Sequence, residues 1–433
     1  MTSLLLAGIL IQPVARTQTL LDFEAGPLNQ AVQAAGTVRV SRTLNPEGGP
    51  KGSSIEVKAE ANAIVAGRLG LLPPNIDDVV LFSFWVYRSD KEVQARPQSA
   101  LDLVFLEEDG RTRFRRRVDL NHSGWKQIRV APKWMAPDSG RIPLWSKIKR
   151  FGFSFRGTTE ILIDDVSVEI GEKGRGQLVP QDLWAPAFPN TVAAKIFRVE
   201  SARRVLVTDV AAADLKRLDQ EFAQVDALLE KRVGDWVANP RPPVLILFGQ
   251  ESEYKAYPPV LASLFNRVAS PPTSDGFTLL GVATGTWSPE KGGIQRPSLI
   301  HEYAHAALEQ NALLQNRGEW LQEGLASQIQ LELRPQKDFA ALVKRGLSDP
   351  SIRMPWSRLT DGDSIGPEFY WQALTLVETL QTAPKFKDRW STLMQAVRLT
   401  GSTRLETFLK SIYSVDWGEL EAAWLTHCRT KYR

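Results

Sequence analysis

The chain has 433 residues, which is long for a single core and sufficient for two or three domains. Its composition, 43% hydrophobic and 24% charged, is typical of a folded protein and excludes a low-complexity chain. The net charge of +4 is small for this length, and the single cysteine, Cys428, excludes an intramolecular disulfide.

The chain begins with the apolar run Leu4 to Ile11, and Ala15 follows at a distance that suits cleavage by a signal peptidase. Residues 1–19 are therefore predicted to be a signal peptide and leader of a secreted or periplasmic protein. The alternative is a short buried N-terminal strand in a cytoplasmic protein. Elsewhere no stretch approaches the ~20 apolar residues of a membrane-spanning helix, so a stable membrane span is not expected.

Residues 20–170 alternate short apolar runs with turn residues, and no helical period persists among them. The runs are rich in Val, Ile, Phe and Trp, and they fall at 79–87, 100–108, 125–132, 150–157 and 160–170. This pattern predicts an antiparallel β-sandwich. Arg113, Arg115 and Arg117 share one face of a predicted strand, which favours a solvated sheet face over a nucleic-acid patch. No nucleic-acid partner is predicted.

A Gly- and Pro-containing stretch, residues 171–194, is predicted to be a linker, and residues 195–433 a second, α+β domain. Its first half predicts strands at 203–209, 242–249 and 277–283, and a long amphipathic helix at 211–233. Its second half is mostly helical, with predicted helices at 298–315, 319–333, 367–382, 386–400 and 403–412.

The strongest chemical signal is the HExxH motif formed by His301, Glu302 and His305 in an apolar, helical context. Residues four apart share one face of an α-helix, so both imidazoles can reach one cation. Glu302 lies about 100° round that helix from His301, where it can hold a metal-bound water without being a ligand. The alternative is a pair of helix histidines satisfied by hydrogen bonds.

A catalytic zinc site needs a third protein ligand, and the segment Glu319 to Ala326 offers one. Glu323 follows His305 by a spacing that allows one turn and a second helix packed across the first. Gly324 and Ala326 keep that helix slim where backbones approach. Glu319, one turn earlier, is the competing ligand, and an ordinary exposed glutamate is the alternative for Glu323.

The sequence His301-Glu-Tyr-Ala-His305 followed by Trp320-Leu-Gln-Glu323-Gly-Leu-Ala resembles the gluzincin metallopeptidases, in particular their peptidase MA-like domains. The resemblance covers roughly residues 195–433 and implies a zincin-like, thermolysin-like α+β fold. It also implies that His301, His305 and Glu323 bind Zn²⁺, that Glu302 is the general base, and that a peptide or protein is the substrate.

The same resemblance places an oxyanion-stabilising tyrosine at the start of a C-terminal helix, which matches Tyr370; a core aromatic is the alternative for this residue. His427 is more typical of a structural histidine and is the second candidate for the oxyanion role. By analogy with these domains, residues 276–283 are expected to form an edge strand to which an extended peptide adds.

The first domain, residues 20–170, resembles a different group of proteins. Leu21 to Glu24, Gly124 to Lys126, Phe151 to Phe153 and Ile163 to Val166 resemble jelly-roll, galactose-binding-like modules of carbohydrate-binding proteins. That resemblance implies carbohydrate as a partner and a structural Ca²⁺ held by Glu24 and Asp165. Two solvated carboxylates at the sheet edge are the alternative.

Three functions are compatible with these signals. The first is a zinc metallopeptidase with an accessory β-sandwich. The second is a non-catalytic glycan- or protein-binding protein on a zincin-like scaffold. The third is a zinc hydrolase of a non-peptide amide or ester. The intact Glu302 favours an enzyme, because loss of the base alone abolishes hydrolysis.

Overall fold

The structure is a computed structural model that describes residues 16–24, 26–67, 72–73, 75–107, 113–137, 147–174, 176–189, 191–234, 236 and 241–433. The predicted signal peptide, with its apolar run and the cut after Ala15, lies outside the described residues. The chain forms two compact units that meet in sequence between Leu178 and Val179. None of the helices in the described ranges combines the length and apolar character that crossing a bilayer requires.

The first unit is a β-sandwich of two antiparallel sheets. One sheet has the strand order β3-β4-β12-β6-β9, with β1 also paired to β12, and the other has the order β10-β8-β7-β11-β5-β2. The twelve strands are β1 (Arg16–Leu21), β2 (Val32–Ala35), β3 (Val38–Leu44), β4 (Ser53–Ala59), β5 (Ile64–Gly67), β6 (Val79–Arg88), β7 (Ala100–Glu107), β8 (Arg113–Asp119), β9 (Gly124–Val130), β10 (Ala136–Pro137), β11 (Ile148–Phe155) and β12 (Thr159–Ile170). Two short helices, α1 (Leu28–Ala31) and α2 (Asp90–Ala95), accompany them.

Aromatic side chains fill the space between the two sheets. Phe82 on β6 contacts Phe105 on β7 and Phe151 on β11, with ring centroids 5.5 and 5.1 Å apart. Alternate residues of a strand point to opposite faces, so the period-two pattern of these runs builds one shared core. The predicted β-sandwich is confirmed, and its five predicted strands correspond to β6, β7, β9, β11 and β12.

The segment predicted as a linker is folded in its middle. It contains the short helix α3 (Pro180–Trp184), and Leu183, Trp184, Ala187 and Phe188 are buried. The interpretation of 171–194 as an open linker is therefore wrong for this part. Pro180 is the first residue of α3, where proline is favoured, and the buried apolar residues after it pack within the second unit.

The second unit is built around one mixed sheet of strand order β13-β14-β15-β17-β16. Strands β14, β15 and β17 are parallel, whereas β13 and β16 pair antiparallel at the two edges. The strands are β13 (Phe197–Glu200), β14 (Val205–Thr208), β15 (Val244–Phe248), β16 (Gly276–Leu279) and β17 (Val282–Thr286). The helices are α4 (Leu215–Val233), α5 (Glu251–Leu264), α6 (Pro297–Gln310), α7 (Trp320–Leu333), α8 (Phe339–Ser348), α9 (Trp356–Leu359), α10 (Tyr370–Thr382), α11 (Trp390–Thr400), α12 (Leu405–Phe408) and α13 (Trp417–Lys431).

Two elements of this unit differ from the sequence-based predictions. The apolar run 277–283 is a hairpin and not one strand, because Leu280 and Gly281 take φ values of +55° and +74° and turn the chain between β16 and β17. No helix was predicted between the strands at 242–249 and 277–283, but α5 lies there. Pro258 and Pro259 lie inside that helix and argue against it locally, but buried Tyr254, Tyr257 and Leu261 stabilise it.

Candidate metal centre

Helix α6 carries the HExxH motif with its two histidines turned inward. His301 and His305 are 8% and 3% exposed, whereas Glu302 between them is half-buried. Pro297 occupies the first turn, where a missing N–H costs no hydrogen bond. The helix packs against β16, β17 and α7. Two imidazoles one turn apart therefore face the same side, while the carboxylate remains accessible.

A buried network of hydrogen bonds around Tyr303 holds helix α6 in place. The Tyr303 hydroxyl donates to Asp226 Oδ1 at 3.0 Å and accepts from Arg204 Nε at 3.1 Å. Arg204 Nη2 in turn donates to Asp226 Oδ2 at 2.6 Å. The Tyr303 ring stacks on Phe222 with centroids 4.0 Å apart. Since each of these buried polar groups is paired, the network fixes the packing of α6 against α4.

Helix α7 brings Glu323 against the two histidines. Gly324 explains how closely α7 lies beside α10, because a Cβ there would sit 2.8 Å from the Ala373 carbonyl oxygen and 2.7 Å from Val377. A larger residue at this position would push the two helices apart. Gly324 therefore keeps α7 slim at a close helix contact, but the neighbour there is α10 and not the HExxH helix that the sequence analysis considered.

Three ligand atoms converge on one point. The Nε2 atoms of His301 and His305 are 3.0 Å apart, and Glu323 Oε2 lies 3.1 Å from the first and 3.3 Å from the second. Ligand atoms at ~2.0–2.1 Å from a tetrahedral zinc ion lie roughly 3.3 Å from one another. In the described ranges this is the only group of three or more His, Cys, Asp or Glu side chains with such convergence. The donor set and its spacing fit zinc.

In this cluster the base His305 and the acid Glu323 shift each other's pKa in opposite directions. Burial alone would lower the pKa of His305, but the adjacent Glu323 carboxylate outweighs it and raises that pKa to about 9. Burial would likewise raise the pKa of Glu323, yet His305 and His301 hold it far below its usual range. Without a metal, a protonated His305 can donate to the Glu323 carboxylate, which is the hydrogen-bonded alternative for this motif.

Gln322 orients one of the two imidazoles. Its Oε1 lies 3.1 Å from His305 Nδ1, and its Nε2 donates to the Leu314 carbonyl at 2.9 Å. An Nδ1–H donated to Gln322 leaves the Nε2 lone pair of His305 free for the cluster. His301 Nδ1 is buried and has no hydrogen-bond partner among the described residues.

Tyr370 lies beside the cluster at the start of α10. Its ring is stacked on His301, with centroids 5.7 Å apart and planes inclined by 13°. Burial and the neighbouring Glu323 carboxylate raise the pKa of Tyr370 well above its usual range, so its hydroxyl keeps its proton. A neutral phenol next to the ligand group is a hydrogen-bond donor.

Glu319 was the alternative third ligand and His427 the alternative oxyanion donor, and neither belongs to the ligand group. Glu319 is one turn before Glu323; it is fully buried, burial raises its pKa to about 8, and it is outside the ligand group. His427 on α13 hydrogen-bonds to Glu378 Oε2 at 3.3 Å and to Thr382. Among the candidates for third ligand, the geometry therefore favours Glu323.

Two contacts of Glu302 were not expected from the sequence. The Thr278 hydroxyl on β16 donates to Glu302 Oε2 at 2.7 Å. Gly276 faces the same side chain, since a Cβ on it would lie 2.6 Å from Glu302 Cγ. A single Thr or Gly has no spacing signature, and neither does Gln322. For Thr278 and Gly276, the only signal in the sequence was the predicted extended run at 276–283 in which both lie.

The predicted calcium ligands lie near a third carboxylate. Asp164, which is 1% exposed, accepts from Asn45 Nδ2 at 2.6 Å and from the Asp165 amide at 2.7 Å. Burial, together with the charges of Asp165 and Glu24, raises the pKa of Asp164 to about 6, although the hydrogen bonds from Asn45 and the Asp165 amide oppose this rise. Glu24 Oε1 accepts from the Ser53 amide at 3.0 Å. Among the described residues, Glu24, Asp164 and Asp165 do not converge as a group of three ligands, so a structural Ca²⁺ stays a prediction.

A calcium ion at Asp164 should stabilise the protein in a pH-dependent way. A folded-state pKa of about 6 lies above the ordinary value of 3.8, so without calcium this group costs stability as the pH rises through that interval. A cation removes the cost only when the carboxylate is ionised. We expect added Ca²⁺ to raise the melting temperature more at pH values above 6 than below it. Equal shifts at both, or none, would argue for solvated carboxylates.

Comparison with known proteins is informative for part of the chain only. No protein-family model and no curated protein sequence matches it. It is similar to the family 11 carbohydrate-binding module of the cellulosomal cellulase Lic26A-Cel5E of Clostridium thermocellum, at 16% identity and a TM-score of 0.27, over 36% of this chain and 96% of that one. The C-terminal family 22 carbohydrate-binding module of Clostridium thermocellum Xyn10B follows at 15% identity and 0.25, over 35% and 94%.

The CBM22-1 xylan-binding domain of Paenibacillus barcinonensis Xyn10C is similar at 14% identity and a TM-score of 0.25, over 36% of this chain and 96% of that one. TM-scores this low do not carry an argument about ligands. The β-sandwich of the first unit therefore rests on its strand pairing, and carbohydrate binding stays a prediction.

Proposed function

We propose that the second unit is a gluzincin-type, zincin-like domain and that the protein is a zinc metallopeptidase. The observation that supports it most is the convergence of His301 Nε2, His305 Nε2 and Glu323 Oε2 within 3.3 Å of one another. Beside them Glu302 is half-buried and outside the ligand group, which suits a general base. Two histidines and a carboxylate are a ligand set of known catalytic zinc sites, which leave one position open for water.

Each residue has a distinct chemical role in this proposal. His301, His305 and Glu323 would hold Zn²⁺, which when bound supplies carbonyl polarisation and lowers the pKa of water toward ~7. Glu302 accepts the proton of the attacking water and later delivers it to the leaving amine. Tyr370 donates its hydroxyl proton in a hydrogen bond to the oxyanion of the tetrahedral intermediate.

The edge strand β16 supports an extended peptide as substrate. It pairs with β17 on one side, and no other described strand pairs with its outer edge. Unpaired backbone groups of an edge strand can add a further extended chain. Because Glu302 contacts β16 directly, a peptide added there would place its scissile bond close to the base.

The test combines metal analysis with hydrolysis of a mixed peptide library. We expect about one zinc ion per chain, cleavage of peptides by the zinc-loaded protein, and loss of cleavage on chelation that zinc restores. Zinc without cleavage of any peptide, ester or amide would favour the binding-protein alternative. Cleavage of esters or non-peptide amides alone would favour the third function. Absence of zinc at saturating concentration would contradict the metal site.

Tyr370 provides a test of oxyanion stabilisation. Tyr370→Phe removes one hydroxyl and keeps the ring stacked on His301, so zinc content and melting temperature should stay close to the wild type. Loss of one such donor should lower kcat by ~100- to 1000-fold. If kcat stays near the wild-type value while the melting temperature falls, Tyr370 is a core aromatic and the oxyanion donor lies elsewhere.

Gln322 provides a test of ligand orientation. Gln322→Met removes the acceptor of His305 Nδ1, and partners of this kind contribute about 10- to 100-fold to metal affinity. Gln372→Met is a matched control, because Gln372 is also buried and its amide bonds only the Met354 backbone. We expect zinc affinity to fall in the first variant and not in the second. Equal affinity in both would remove Gln322 from the site.

A further inference from the structure

The general base of the proposed reaction is held by an edge strand. The Thr278 hydroxyl lies 2.7 Å from Glu302 Oε2 and 2.9 Å from the Glu302 carbonyl oxygen. A hydroxyl has one proton, and an ionised carboxylate is the stronger acceptor of the two. Thr278 is therefore placed to donate to Glu302 while Glu302 is unprotonated.

The same strand leaves room for Glu302 at Gly276. A Cβ on Gly276 would lie 2.6 Å from Glu302 Cγ and 3.0 Å from Oε1. The backbone at Gly276 does not adopt a positive φ, so glycine is not needed there for its conformation. What glycine provides at this position is the volume that the Glu302 side chain occupies.

We propose that Thr278 and Gly276 are positioning residues for Glu302: Thr278 binds one carboxylate oxygen, and Gly276 clears the space for the rest of the side chain. A glutamate side chain has three rotatable bonds, and a half-buried one explores several rotamers unless a partner fixes it. With Oε2 bound to Thr278, the rotamer is set and Oε1 remains to accept a proton from water. This inference rests on the proposed function for its catalytic consequence, but its structural part does not.

Strand β16 belongs to the hairpin that Glu309 anchors to helix α6. Glu309 Oε2 accepts from the Gly281 amide at 2.7 Å, at the turn between β16 and β17. The hairpin is thus tied to α6 at its turn, and Thr278 contacts Glu302 farther along the same helix. The register between β16 and α6 therefore fixes which strand residue meets the base.

The first experiment removes the hydroxyl. Thr278→Val should lower kcat by about 10- to 100-fold, the size of effect that outer-shell partners have, with KM and zinc affinity unchanged. Thr278→Ser keeps the hydroxyl and should restore most of kcat. Thr208→Val is the matched control, because Thr208 is a buried threonine of the same sheet whose hydroxyl donates to the Leu247 carbonyl. It should leave kcat and KM unchanged.

The second experiment adds a methyl group at position 276, in the space that the Glu302 side chain occupies. Gly276→Ala should displace Glu302 and lower kcat by about 100-fold, because a shift of about 1 Å at a reacting group has that effect. Zinc content should not change, since Glu302 is not a ligand.

Crystal structures of Thr278→Val and Gly276→Ala supply a readout independent of turnover. We expect the Glu302 side chain in a different rotamer in both, with His301, His305 and Glu323 in place. An unmoved Glu302 in both structures overturns the proposal, as does a wild-type kcat in both variants of an active enzyme. A wild type that hydrolyses nothing contradicts the proposed function, while the position of Glu302 in these structures still decides the positioning role.

Discussion

His301→Ala and His305→Ala are each expected to abolish zinc binding and, with it, all hydrolysis. The cluster has three protein ligands, and removing one leaves two, which is fewer than any catalytic zinc site retains. The remaining carboxylate of Glu323 would also lose the positive partner that holds its pKa low. Metal content by mass spectrometry after dialysis against a weak chelator measures the first effect, and peptide turnover the second.

His427→Ala is the matched control for these two variants. It removes an imidazole of the same unit, but that imidazole hydrogen-bonds to Glu378 and Thr382. We expect the variant to keep one zinc per chain and wild-type kcat. Stoichiometric zinc in both His301→Ala and His305→Ala would contradict the metal centre as a whole, whatever the behaviour of the control.

Glu302→Gln is expected to keep zinc and the fold and to lose kcat by ~10²- to 10⁴-fold, the usual contribution of a general base. The amide is close in shape to the carboxylate, and its oxygen still accepts the hydrogen bond from Thr278. What the variant lacks is a group that takes a proton from water. KM should change little, because the loss falls on the transition state.

Glu309→Gln is the appropriate comparison on the same helix. Burial raises the pKa of Glu309 to about 8, so at neutral pH this side chain is already largely protonated, and glutamine preserves the acceptor for the Gly281 amide. Its kcat should remain close to that of the wild type. Turnover by Glu302→Gln at the wild-type rate, with the Glu309→Gln control intact, would exclude Glu302 as the base.

The sequence predicted which three side chains converge, and the histidine pair among them was predictable because it obeys a helical period. His301 and His305 are one turn apart, so helix geometry alone brings these two together, whereas Glu323 reaches them because α7 packs against α6. The choice between Glu323 and Glu319 followed from which face of α7 meets α6, and here the family motif was more informative than spacing. The sandwich was predictable for a similar reason, since its long strands have a clear period of two.

The parts that the sequence did not predict depend on contacts between distant residues. Thr278 and Gly276 acquire a role only because the hairpin folds onto α6, and no periodicity records that contact. The turn at Leu280 was missed because leucine rarely adopts a positive φ, and α5 because its two prolines argue against a helix. In both places tertiary packing outweighs the local preference.

The three proposed metal ligands are also close together along the chain, and this affects the order in which the unit assembles. His301 and Glu323 are 22 residues apart, and closing a loop of that length costs about 2.7 kcal/mol beyond a constant. The helical pair α6–α7 can thus meet early in folding, before Tyr370 arrives from farther along the chain. A zinc ion bound at that stage would cross-link α6 and α7 and hold them in place while the rest of the unit packs around them.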